Sequence, residues 1–141
     1  MREASWNDCI ESNSSLKITP DKEKAKSLIE IAHGRIEASR EVTNKTSNYV
    51  FEDYYSSVLE LLHVIVLCKG YNVSNHICLG YYLRDVLQRE DLFRIFDDCR
   101  YKRNALVYYG KTMDFDTAEK SIKNSRILIE ELKNIIKKEH F

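Results

Sequence analysis

The segment from Tyr49 to Lys69 constrains the fold of this chain more than any other. Its apolar residues, which include most of the stretch from Val58 to Val66, fall on nearly every side of a helix of that length. Such a helix has to be covered by neighbouring elements on several sides. One proline and four glycines interrupt the 141 residues, which favours long helices over a many-stranded sheet. These features predict an all-α protein arranged around one central helix.

Apolar residues at helical spacing predict three further long helices, over about residues 21–42, 91–109 and 116–138, and a shorter one from Ser74 to Leu87. The short connections between them predict an antiparallel up-and-down bundle of about four to five helices. Residues 1–18 show no such spacing and are predicted to be a weakly structured lead before a helical domain at residues 19–141.

Several residues have the side chains that helix ends prefer. Thr19 and Pro20 suit the start of the first long helix, and Ser74 can cap the shorter one. Asp116, followed three residues later by Glu119, suits the start of the last helix. Gly70 and Gly110 are predicted to end the central helix and the fourth helix, respectively.

Composition limits the classes of function. Lysines and arginines number 22 and acids number 22, which argues against a protein that coats nucleic acid nonspecifically, and any contact must be local. The four cysteines (Cys9, Cys68, Cys78 and Cys99) form no CxxC motif and are predicted to be reduced, buried thiols. No metal or cofactor is predicted. The apolar run from Val58 to Cys68 is too short to cross a bilayer, and a soluble cytoplasmic protein is predicted.

Residues 100–111 form the most distinctive segment for function. They contain four cations, three tyrosines and no acid. Cations bind phosphate groups and aromatic rings stack on bases, so the mixture suits RNA or a nucleotide. The residues predicted to bind this ligand are Arg100, Lys102, Tyr109 and Lys111.

Arg103 occupies an unusual position within that segment. At about 100° per residue it falls in the middle of the apolar stripe of its own helix, between Cys99 and Leu106. An unpaired buried charge is costly. Arg103 is therefore expected to pair with an acid such as Asp97 or Asp98, to lie in a cleft, or to face a second protein chain.

The chain resembles a HEPN domain (higher eukaryotes and prokaryotes nucleotide-binding) over roughly residues 20 to 138. The resemblance depends on the order and spacing of five short pieces: residues 51–58, Gly70-Tyr71, residues 74–76, Arg103-Asn104 with Tyr108, and residues 117–119. It implies an antiparallel helical bundle. Many HEPN domains are metal-independent ribonucleases that act as toxins or defence proteins, often beside a small nucleotidyltransferase. Others bind RNA or nucleotides without cutting, or serve as dimerising modules.

The resemblance also implies a catalytic set of Arg103, Asn104 and Tyr108. The motif of the active family is an arginine, commonly followed by a polar residue, with a histidine a few positions later. Here Tyr108 occupies the histidine position. A tyrosine with its ordinary pKa near ~10 is a poor base at neutral pH. Two functions therefore remain open: a ribonuclease-like toxin or defence protein, or an inactive module that binds RNA, a nucleotide or a partner protein.

A homodimer is predicted, with Arg103 near the subunit interface. On a regular helix Arg103 and Tyr108 are about 140° apart, so we expect either a loosened helix or a site built from two protomers. Other residues are expected to be structural: Tyr54 and Tyr55 as core fillers, His63 as a core histidine and His76 as part of a helix start. The HEPN resemblance also implies that a histidine recurs at the position of His76. The cations of the last helix are expected to form a solvated face or, alternatively, a track for RNA.

Overall fold

The computed structural model describes residues 2–139 and has a helical fold. Its helices are α1 (Trp6–Glu11), α2 (Lys22–Glu37), α3 (Ser47–Cys68), α4 (His76–Tyr81), α5 (Glu90–Tyr109) and α6 (Phe115–Lys138). A π-helical turn, Tyr82–Val86, continues α4. Two short strands, β1 (Ser15–Lys17) and β2 (Tyr71–Val73), pair antiparallel with Leu16 opposite Asn72. The predicted all-α bundle is confirmed.

Helix α3 is the centre of the bundle, as its sequence predicts. It contacts α2 on one side and α6 on another, and it also meets α4, α5 and β2. Most of its side chains are buried, and Phe51, Tyr55 and Leu61 are among the largest fully buried side chains of the protein. The burial of large apolar side chains on several faces of one helix is the main source of stability for a bundle of this size.

Helices α4 and α5 approach each other closely at Gly80. A β-carbon at this position would lie 2.9 Å from Cδ2 of Phe96 and 3.0 Å from Cε1 of Phe93. Phe96 is fully buried and its ring stacks on that of Tyr55, with centroids 6.0 Å apart. Glycine at position 80 is therefore what allows α4 to pack directly on α5 beside the central helix.

The expectation that residues 1–18 form a weakly structured lead is wrong for the part that the structure describes. Trp6 of α1 is buried, and its ring packs edge-on against the rings of Tyr71 and Tyr82 at 5.2 and 5.0 Å. The Trp6 backbone N–H donates to Asp85. Because the stabilising partners of this segment lie about 60 to 80 residues away in the chain, local periodicity does not reveal them.

A disulfide between Cys9 and Cys78 joins α1 to α4, with Cα atoms 6.0 Å apart. The prediction of four reduced thiols is therefore wrong for these two residues. The prediction holds for Cys68 and Cys99, which are free and buried. The spacing of cysteines along the sequence could not identify the pair, since the two residues are brought together only by the packing of α1 on α4.

The helix ends are predicted less well than the helices. The N-cap of α2 is Asp21 rather than Thr19, and the N-cap of α6 is Asp114 rather than Asp116. Asn75 rather than Ser74 caps α4. Each of these side chains accepts a hydrogen bond from a backbone N–H two or three residues later. A run of several polar residues before a helix offers more than one possible cap, and tertiary packing selects one.

Two helices end as the sequence indicates and one ends early. Gly70 and Gly110, which follow α3 and α5, have φ angles of 87° and 61°. Helix α2 stops at Glu37 instead of near Val42. The hydroxyl of Ser39, just beyond its end, donates to a carboxylate oxygen of Asp53 on α3 at 2.9 Å. Serine favours such bonds over a helix interior, which accounts for the early stop.

Candidate nucleic-acid interface

Helix α5 changes character along its length. Its first half buries Leu92, Phe96 and Cys99, whereas none of the residues from Arg100 to Tyr109 is fully buried. The tyrosines of the second half are among the most exposed large side chains of the protein: Tyr101, Tyr108 and Tyr109 expose 74%, 68% and 82% of their surface. The predicted cluster of cations and aromatic rings is therefore accessible to a ligand.

Two of the cations in the cluster are paired with acids one turn earlier on the same helix. Nε of Arg100 donates to Oδ1 of Asp97 at 3.0 Å, and Nζ of Lys102 donates to Oδ2 of Asp98 at 2.7 Å. These bonds use both acids that the sequence offers to Arg103. Surface pairs of this type contribute little to stability, and they leave the Arg100 guanidinium partly free for a further anion.

Arg103 is held by aromatic rings instead of by a carboxylate. Its guanidinium carbon lies 5.8 Å from the ring centroid of Tyr55 and 5.9 Å from that of Tyr108. The side chain is half-buried, and no acid among residues 2–139 forms an ion pair with it. Of the three expectations for Arg103, pairing with an acid is therefore wrong within the described chain, and Arg103 retains unused donors.

The angular separation of Arg103 and Tyr108 did not keep them apart. The Arg103 guanidinium lies over the Tyr108 ring within one chain, and their helix is continuous to Tyr109. The 140° between them is measured around the helix axis, and two long side chains separated by about 7.5 Å along the axis can bridge it. Neither a loosened helix nor a second protomer is needed to bring them together.

A cavity of about 260 Å³ lies between the second half of α5 and the start of α4. It is lined by Ser74, Asn75, His76, Arg100, Asn104 and Tyr108. A neighbouring cavity of about 370 Å³ shares Arg100, Asn104 and Asn75 and extends to Glu3 of the N-terminal segment. Three of the predicted site residues, Arg100, Asn104 and Tyr108, thus meet in one cleft.

The remaining predicted residues separate into two groups. Tyr109 and Lys111 line a third, more apolar cavity of about 500 Å³ together with Tyr101, Asn104 and Ala105. Asn104 connects this cavity to the first cleft. Lys102 lines none of these cavities, and its ammonium group is bonded to Asp98. Asn104 therefore joins Arg100, Tyr108, Tyr109 and Lys111 in one continuous surface. Arg103 lines none of these cavities and contacts this surface through the ring of Tyr108.

His76 lines the cleft and Tyr55 is buried next to it, although both were expected to be structural. The ring centroids of these two residues are 6.2 Å apart, and the Arg103 guanidinium lies over the ring of Tyr55. Burial is the main cause that lowers the pKa of His76, and the positive charges of Arg103 and Arg100 lower it further. The imidazole is therefore neutral at pH 7 and able to accept a proton.

The Tyr55 hydroxyl is buried without a hydrogen-bond partner among residues 2–139. Burial raises the pKa of this hydroxyl, although Arg103 and Arg100 act in the opposite direction. Most buried polar groups in proteins are paired, so an unpaired hydroxyl next to a guanidinium without an acid is unusual. The sequence signal that pointed to this site was the arginine on an apolar stripe, and the tyrosine beneath it could not be identified without the packing of α5 on α3.

Residues 2–139 contain no group of three or more histidine, cysteine or acidic side chains that could hold a metal ion. No helix in the same range is long and apolar enough to cross a membrane. Comparison with protein-family models, with curated proteins and with solved structures gives no match to this chain.

Proposed function

We propose that this protein acts on RNA through the cleft between α4 and α5, as a HEPN ribonuclease-like toxin or defence protein. The observation that carries the proposal is Arg103, a half-buried guanidinium that forms no ion pair among residues 2–139 and lies within 6 Å of the ring centroids of Tyr55 and Tyr108. Tyr108 in turn lines the cavity together with a second arginine, Arg100. One guanidinium in the cleft and a second next to a cleft residue suit a phosphodiester, because arginine donates several hydrogen bonds to phosphate oxygens.

The exposed tyrosines support a nucleic acid rather than free phosphate as the ligand. Tyr101 and Tyr109 line the cavity that joins the cleft at Asn104, and their rings are largely exposed. Stacking of a base on an aromatic side chain contributes about 1–3 kcal/mol and tolerates any sequence. In the proposal, a phosphate contacts Arg100 and Arg103, while a neighbouring base stacks on the tyrosine surface.

Removal of Arg103 is the direct test. Arg103→Ala is expected to weaken binding of single-stranded RNA and to slow cleavage by hundreds-fold, since loss of one donor to a developing phosphorane costs about 3–4 kcal/mol of transition-state stabilisation. Arg126→Ala is the matched control, because Arg126 also lies over a tyrosine ring but on another face of the bundle. Fluorescence anisotropy and gel assays measure both activities, and circular dichroism checks the helix content. Equal losses in the two variants would contradict the proposal.

A homodimer belongs to the same proposal, with a small nucleotidyltransferase as the candidate partner protein. A two-fold contact near Arg103 would place two basic clefts side by side and cover exposed tyrosines. Sedimentation at micromolar concentration is expected to give a dimer. A monomer under these conditions would remove the dimeric cleft from the proposal while leaving the cleft between α4 and α5 of a single chain.

The inactive binding module is the second candidate function, and Tyr108 favours it because the motif histidine is missing. Tyr108→His distinguishes the two candidates. If wild type and Tyr108→His both bind RNA through Arg103 and neither cuts it, the protein is a binding module. If Tyr108→His raises a cleavage rate already present in the wild type, the ribonuclease-like function holds.

The cytoplasm is the proposed location, and the Cys9–Cys78 disulfide is the observation that weighs against it. Structural disulfides are rare in a reducing cytosol. Rapid alkylation of cells that contain the protein, followed by mass spectrometry, measures the fraction of Cys9 and Cys78 that is oxidised. A fully oxidised pair would move the proposal to an oxidising compartment.

A further inference from the structure

We propose that His76 supplies the imidazole that position 108 lacks, and that it accepts the proton of the RNA 2′-hydroxyl during cleavage. This inference depends on the proposed action on RNA and adds the identity of the proton acceptor. His76 is the first residue of α4, and its side chain lines the same cavity as Arg100, Asn104 and Tyr108. The catalytic imidazole would thus come from α4 and the guanidinium groups from α5.

The position of His76 relative to the two arginines suits this role. Its ring and the Arg103 guanidinium both lie about 6 Å from the ring centroid of Tyr55, at 6.2 and 5.8 Å. His76 also lines the same cavity as Arg100, so a phosphate that contacts Arg100 in this cavity would lie beside the imidazole. A base has to be near the hydroxyl proton that it removes, and geometry is the first condition for such a group.

The surroundings of His76 keep it neutral. The groups that face it are Tyr55 and His63 from α3, and Arg100, Arg103 and Tyr108 from α5. The nearby acid of the N-terminal segment, Glu3, is engaged by the hydroxyl groups of Ser12 and Ser14 and by the Asn75 amide. Burial and the two guanidinium groups lower the pKa of His76, so the base form predominates at neutral pH.

The reaction balances without a metal or a further reactant. The 2′-oxygen attacks phosphorus as its proton moves to His76, the bond between phosphorus and the 5′-oxygen breaks, and the leaving oxygen takes a proton from water. The products are a 2′,3′-cyclic phosphate and a 5′-hydroxyl, and the imidazolium returns its proton to solvent. Arg100 and Arg103 stabilise the negative charge that develops on the phosphorane.

The test separates binding from cleavage. Binding is measured with a 2′-O-methyl RNA, which has no hydroxyl proton to remove, and cleavage is measured with the same sequence as unmodified RNA. His76→Asn is expected to bind the analogue within about threefold of wild type and to cleave RNA at least about 100-fold more slowly, the range for loss of a general base. His33→Asn is the control, because His33 is exposed on α2 and lines none of the cavities described.

The pH profile gives a readout that a merely structural histidine would not change. Wild-type cleavage is expected to fall on the acid side, with a midpoint below the ordinary histidine value of 6.5, and the residual activity of His76→Asn should lack this limb. His76→Asn cleaving within threefold of wild type would overturn the inference. Wild type that binds the analogue but cuts no RNA would overturn it too, while leaving the binding proposal intact. Wild type that binds no RNA would overturn both.

Discussion

Two adjacent tyrosines of α3, Tyr54 and Tyr55, meet two arginines in different ways. The Tyr54 hydroxyl accepts a hydrogen bond from Nε of Arg126 at 3.2 Å, and the Arg126 guanidinium lies 5.2 Å from the ring centroid. The Tyr55 hydroxyl has no hydrogen-bond partner in the part of the chain that the structure describes, although Arg103 lies over the Tyr55 ring. On the α6 side of the central helix the arginine donates a hydrogen bond to the tyrosine hydroxyl, whereas on the α5 side the arginine contacts only the tyrosine ring.

The difference identifies which arginine is available for a ligand. Arg126 is exposed and donates a hydrogen bond to the Tyr54 hydroxyl. This bond joins α6 to α3, so the position of Arg126 is explained without a ligand. Arg103 is half-buried, and its donors point to neither a carboxylate nor the hydroxyl beneath it among the described residues. Charged groups in unusual surroundings cluster at functional sites, which supports the proposed role of Arg103.

The largest expected effect concerns the Cys9–Cys78 disulfide. Cys78 belongs to α4, which packs on α5, so the disulfide lies on the same side of the bundle as Arg103. Loss of the bond in Cys9→Ala/Cys78→Ala should lower the free energy of unfolding by about 4 kcal/mol, because it closes a loop of about 70 residues. Urea unfolding measures the change. Buried Trp6, the single tryptophan of the chain, reports loosening of α1 by fluorescence.

The wild type compared with and without reductant provides the control for the disulfide prediction. Oxidised wild type should be more stable than reduced wild type by a similar amount, and the double variant should not respond to reductant. If Arg126→Ala became more damaging after reduction, the two sides of α3 would not be independent, and the comparison between them would fail.

The next effect is the change of stability with pH that His63 causes. It determines the pH range in which the Arg103 and Arg126 variants can be compared. Burial, the first cause, and the charges of His76 and Lys24 lower the pKa of His63 on α3 from 6.5 to about 4. The unfolded chain therefore binds this proton first as pH falls. Stability from His63 is complete above pH 6.5 and decreases by about 3 kcal/mol as the pH falls from 6.5 to about 4.

Urea unfolding at pH 7.5, 6.0 and 5.0 measures the stability that His63 contributes. His63→Leu keeps a similar volume without a titrating group and should have a flatter pH dependence than wild type. Identical slopes for the two proteins would show that His63 is solvated. The Arg103 and Arg126 variants are best compared above pH 6.5, where this contribution is constant.

The smallest expected effect tests the two hydroxyls directly. Tyr54→Phe should lower the free energy of unfolding by about 1 kcal/mol, because it removes a hydrogen bond from Arg126. Tyr55→Phe should raise the free energy of unfolding by about 1 kcal/mol, because it removes a buried hydroxyl that has no partner. Chemical denaturation of the two variants gives the sign. A loss of stability in both would mean that the Tyr55 hydroxyl is bonded in solution.

The sequence predicts the central helix well, because burial on several sides leaves an apolar pattern that is local to Tyr49–Lys69. It also identifies Arg103 as anomalous, because an arginine on an apolar stripe breaks a local rule. It does not reveal what lies beneath Arg103. The contacts of Arg103 with Tyr55, and of Tyr55 with His76, join residues far apart in the chain, and no local pattern encodes them.

The N-terminal segment was missed for the same reason. Trp6 and Cys9 are stabilised by residues 71–85, so a short helix and a three-residue strand form where local signals are weak. The disulfide could not be predicted from four cysteines without knowing which helices pack together. Caps were misplaced by only two residues at Thr19 and Asp116, where several polar side chains compete for one role.

The close approach at Gly80 determines the width of the cleft. Gly80 lies one helical turn beyond His76 on α4, and Phe96 lies about one turn before Arg100 on α5. The contact at Gly80 therefore sets how far apart α4 and α5 hold the His76 imidazole and the Arg100 guanidinium. The width of the site is thus determined in the buried core by the missing side chain of Gly80, a residue that RNA would not contact.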